Sequence, residues 1–114
     1  MVKDIVLARS PEEACRTDPV WELPPDAYFT LQAIMRNYAG EFPLLHSMVA
    51  YDEGPEGDFL IAPDQCSEFK REIEGLIRPL EDRLDEKVKA MLDRLVQLAN
   101  EARSAKLTLF GVAD

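Results

Sequence analysis

The second half of the chain carries its apolar residues at a helical period. From Cys66 they fall at Phe69, Ile73, Leu76, Ile77 and Leu80, all on one side of a helix. Beyond them Leu80, Leu84, Val88, Met91, Leu95, Leu98 and Ala102 follow at intervals of 4, 4, 3, 4, 3 and 4, which predicts a long amphipathic helix over about residues 80–103. At ~1.5 Å per residue a helix of that length reaches ~36 Å. Leu92, Val96 and Ala99 widen the stripe beyond a two-position seam, so the helix is expected to pack against several elements rather than one coiled-coil partner. Pro79 cannot donate to the carbonyl of Gly75, and these two helix-weakening residues predict a kink or break near Arg78. Glu74 with Arg78, and Asp85 with Lys89, have the spacing of surface ion pairs.

The first half is more broken. Residues 2–8 are rich in Val, Ile and Leu and read as a strand, running into Ser10-Pro11-Glu12-Glu13, a helix start in which Ser10 caps the amide of Glu13 and the Glu13 carboxylate reaches back. Asp18-Pro19 and Pro24-Pro25 push the chain out of helical geometry, leaving a stiff segment in which Trp21 is expected to plug one end of the core. Asp26 is the expected N-cap of a second helix, with Phe29, Leu31, Ala33, Ile34, Met35 and Tyr38 on its apolar face and Gly40 at its end. Residues 43–51 fit a helix better than a strand, with Pro43 in the first turn.

Tyr51-Asp52-Glu53-Gly54-Pro55-Glu56-Gly57-Asp58 has the composition of an exposed loop. Residues 58–62 and 106–112 complete the strand candidates. The architecture expected is α+β and helix-rich: a single domain over residues 1–114, with a sheet of two or three strands covered by helices. With 114 residues and 46% apolar content, one core can form without metals or disulfides.

Charge narrows the partners. A net charge of −9 disfavours nucleic acid, whose affinity for proteins comes largely from Lys and Arg, and disfavours an anionic membrane surface. No run approaches the ~20 apolar residues of a membrane span, and the apolar stretch after Met1 is too short for a signal peptide and contains Asp4. Cys15 and Cys66 lack the spacing of a zinc or redox motif, so a reducing, cytoplasmic setting is the simplest expectation.

Motifs for chemistry are sparse. His46 is the sole histidine; Ser47 beside it lacks a nucleophile elbow, and a Cys66–His46 pair would require tertiary contact. Cys66 shares an apolar face with Phe69 and Ile73, the setting of a buried inert thiol. The acidic loop fails as an EF-hand. Counting from Asp52, position three is Gly54 and position twelve is Pro63, where a carboxylate or amide and then a bidentate Glu are required. No nucleotide or metal motif is present, and no cofactor is expected.

The distribution of charge says more. Residues 41–63 hold Glu41, Asp52, Glu53, Glu56 and Asp58 with no Lys or Arg, so −5 of the net −9 belongs to a fifth of the chain. Phe42, Leu44, Leu45, Met48, Tyr51 and Phe59 lie in the same segment. Carboxylates and aromatics around a glycine loop suit recognition of a basic protein, with Tyr51, Asp52, Glu53, Glu56 and Asp58 as the contact set. The expectation is a non-enzymatic interaction module, for instance an inhibitor of the immunity type, meeting a basic partner through residues 41–58. Two alternatives stand beside it: a homo-oligomer, such as a homodimer, assembled through residues 66–102, and a small enzyme centred on His46.

Overall fold

A computed structural model describes residues 3–38, 40–49, 59–80 and 82–113. In chain order the elements are β1 (Lys3–Ala8), α1 (Pro11–Ala14), β2 (Trp21–Glu22), α2 (Pro25–Met35), α3 (Pro43–Val49), β3 (Phe59–Ile61), α4 (Cys66–Leu80), α5 (Glu86–Ala105) and β4 (Thr108–Ala113). Short 3₁₀ turns at Arg36–Tyr38 and Pro63–Gln65 extend α2 and lead into α4. The fold is α+β, as the periodicities predict.

The described strands form one antiparallel sheet of four, in the order β2-β1-β4-β3, where two or three were expected. The added strand is β2, two residues long, pairing Ile5 with Trp21 and Asp4 with Glu22. Strand pleating sends Ile5, Leu109, Phe59 and Ile61 into the main core, and Val6, Ala8 and Phe110 to the opposite face. There Ala14 of α1 and Val112 join them in a smaller cluster, while Leu60 stays 53% exposed. Gly111 faces Phe59 across the β3–β4 ladder, and the phenyl ring occupies the space a Cβ at residue 111 would take.

The main core lies between this sheet and a layer of α2, α4 and α5. Phe69, Ile73 and Leu76 of α4 pack with Val88, Met91, Leu92, Leu95, Leu98, Ala99 and Ala102 of α5, all buried. The widened stripe thus meets several elements, as its breadth predicts.

Several local expectations are corrected. The long helix begins at Glu86 rather than residue 80, because Asp85 caps it, its side chain accepting the Lys87 N–H at 2.9 Å. Asp85 is therefore a cap before it is a partner of Lys89. The 80-to-84 spacing survives the break: Leu84 N–H donates to the Leu80 carbonyl at 2.9 Å, and both side chains pack on the core. The helix break comes close to where Gly75 and Pro79 predict it: α4 runs through both residues and ends at Leu80, two residues past Arg78. At Gly75 the Phe42 ring packs close, 3.3 Å from where a Cβ would stand, so tertiary contact offsets poor helix propensity.

At the start of α2, Pro25 occupies the first turn after Pro24, which offers no side-chain cap; Asp26 sits inside the first turn instead. The inward face follows Ala27, Tyr28, Leu31 and Met35, leaving Phe29 and Ala33 exposed and Ile34 half-buried. Tyr28 anchors that rotation, its hydroxyl donating to the Met48 carbonyl at 3.1 Å. Trp21, on the edge strand β2, is half-buried and packs against the main core. At α1 the expected Ser10 cap is present at 3.1 Å, and the Glu13 carboxylate reaches back one residue beyond it, to the Arg9 amide at 2.7 Å. Gly40 adopts φ +88°, which suits a chain stop after the 3₁₀ turn.

Candidate functional site

The acidic segment begins on α3, which is held from below by an unusual cap. Glu72, on the buried side of α4, accepts the Leu45 N–H at 2.9 Å and the Leu44 N–H at 3.3 Å. These are first-turn amides of α3 with no intrahelical partner, so a carboxylate from another helix satisfies them. Leu45 and Met48 are fully buried on the inner side of α3, while Glu41 and His46 are exposed. Burial pushes the Glu72 carboxyl above the usual carboxylate range; the two amides pull it down, and the neighbouring charge of Glu68 adds to the rise.

Tyr51, Asp52, Glu53, Glu56 and Asp58 lie outside the described residues. Their chain is tethered on both sides: Met48 is buried before it, and Phe59 is buried after it on the inner face of β3. On either side of them, α3 ends at Val49 and β3, an edge strand of the sheet, begins at Phe59.

The residues considered for catalysis occupy contrasting settings. Cys66 is buried at the start of α4 with its thiol donating to the Ala62 carbonyl at 3.4 Å. Burial raises its pKa, opposed by the charge of Arg103 and aided by that of Asp64, which suits an inert thiol. His46 faces outward, and the Ser47 hydroxyl donates to the Leu44 carbonyl at 2.6 Å within its own helix. Among the described residues no group of three or more His, Cys, Asp or Glu side chains is placed to hold a metal ion. No helix among them is long and apolar enough to cross a membrane.

A second feature is assembled only by the fold. Between the β2–α2 corner and α5 runs a groove of about 500 Å³, lined by Trp21, Pro24, Pro25, Asp26, Ala27, Lys87, Ala90, Met91 and Arg94. Its contributors are some sixty residues apart in sequence. The one local signal was the stiff Trp-Glu-Leu-Pro-Pro stretch, whose prolines fix a corner. Glu72 was likewise missed, although a charged residue between Phe69 and Leu76 on an apolar stripe marks a buried carboxylate in need of donors. No family model matches this chain, and neither the curated proteins nor the solved structures contain a match to it.

Proposed function

We propose that this protein is a non-catalytic interaction module that meets a basic protein partner through residues 41–58. The observation that carries the reading is the concentration of charge, −5 within residues 41–63 of a chain whose net charge is −9. A concentration of negative charge of that kind steers a positively charged partner during encounter and rejects acidic ones. Two features of the scaffold support it. The Glu72 cap and the buried Leu45 and Met48 fix α3, so Glu41 and His46 project from a rigid base. Met48 before the acidic residues and Phe59 after them are both buried, so the segment joins the core on each side. An inhibitor of the immunity type is one concrete form of such a module.

Self-association through residues 66–102 would draw on apolar surface that α4 and α5 bury within one chain. Affinity capture from the source cells at low and at moderate salt tests the proposal, with the wild type compared against Asp52→Asn, Glu53→Gln, Glu56→Gln and Asp58→Asn combined. A retained basic protein, released by salt and lost in the fourfold variant, is the expected result. An identical retained set for both forms would count against it, and light scattering on the isolated protein separates self-association from both outcomes.

A further inference from the structure

We propose that the groove beside Trp21 is a binding site for a small amphiphilic monocarboxylate, an apolar body about as long as two helical turns carrying one anionic head. Its volume of about 500 Å³ falls within the range of small-molecule sites. The walls suit an apolar body. Trp21 offers an aromatic face, Pro24 and Pro25 hold one side rigid, and Met91 supplies a buried, adaptable thioether on the other.

The charge at the rim selects the head group. Lys87 and Arg94 are seven residues apart on α5, two turns or ~10.5 Å along one side of the helix, and both line the groove. Against the single acid Asp26, Lys87 and Arg94 leave the groove lining at a formal charge of +1 in a chain of net −9. One guanidinium nitrogen of Arg94 donates to Gln97 at 3.1 Å, and a guanidinium carries further N–H donors of the geometry that a carboxylate accepts. Asp26 lines the same groove and disfavours a second negative charge, so a monoanion fits better than a dianion. This site shares no residue with the acidic segment, so the two readings stand or fall separately.

Trp21 is the one tryptophan of the chain, so its fluorescence reports on the groove directly. The test titrates the full chain with decanoate, with its neutral analogue decanamide and with decylamine, all below micelle formation. Decanoate is expected to shift Trp21 emission saturably and to bind more tightly than either analogue. Combining Lys87→Gln with Arg94→Gln should weaken decanoate by about tenfold, the factor for ~1.4 kcal/mol, and leave decanamide unchanged. Equal binding of decanoate and decanamide, preference for decylamine, indifference to the double substitution, or no saturable change would each overturn the proposal.

Discussion

The carboxylate of Glu72 on α4 accepts the backbone N–H of Leu45, the first-turn residue of α3, at 2.9 Å, and the pair is buried. One helix thus caps another through a charged side chain that has left water. Replacing Glu72 by Ala strands the Leu44 and Leu45 amides, and a loss of about 2 to 3 kcal/mol is expected in urea denaturation. Glu72→Gln, which keeps an acceptor oxygen, should lose about half as much. Equal losses for both variants would mean that the hydrogen bonds are not what the carboxylate contributes.

The same group sets a pH dependence. Its carboxyl is raised in the folded chain, first by burial. A group that holds its proton more tightly when folded contributes fully below its unfolded value, and that contribution fades as pH rises through the folded value. Stability measured upward from about pH 4 should therefore carry a declining component, and Glu72→Gln should flatten it.

Asp85 caps α5 through the Lys87 amide at 2.9 Å. Asp85→Ala is expected to cost ~1 kcal/mol, Asp85→Asn much less, and Lys89→Ala close to nothing. A large effect of Lys89→Ala would restore the ion pair that spacing alone suggests. Thermal melts of the three variants at one pH decide between cap and pair.

Lys106 ends α5 in the left-handed conformation, at φ 57° and ψ 42°, its amide bonded back to Ala102 and Arg103. A side chain there costs ~1 kcal/mol that glycine avoids. Lys106→Gly should raise the urea midpoint accordingly, an outcome unusual for a substitution to glycine.

Gly111 faces the Phe59 ring, which fills the room a methyl group would need. Gly111→Ala is expected to cost ~1 to 3 kcal/mol by overpacking. Trimming the ring should relieve part of that, so a double-mutant cycle with Phe59→Leu should show a coupling energy of opposite sign to the single losses.

What the sequence made legible follows from the range of each signal. The residues that recur every three or four positions from Phe69 to Ala102 carry their helices wherever the rest of the chain goes, and both are found. Strand β2 was hidden because two residues cannot show alternation; only the facing Asp4 and Ile5 make Trp21 and Glu22 a strand. Phe29 misled for a related reason, since the rotation of α2 is set by the distant Met48 carbonyl rather than by the helix's own pattern. The acidic cluster was plain from composition, whereas the groove of Trp21 and Arg94 exists only after two remote segments have met.

Strands β1 and β4, from opposite ends of the described chain, pair along six residues each and stand at the centre of the sheet, Lys3 opposite Ala113 and Ala8 opposite Thr108. During synthesis on the ribosome the middle of this sheet must wait for its last strand, while α4 and α5 can already pair locally. Such a topology has a high contact order for its centre, so helix formation should precede sheet closure. Losing residues 108–113 would separate β3 from β1 and leave the emerging chain with exposed, sticky edges.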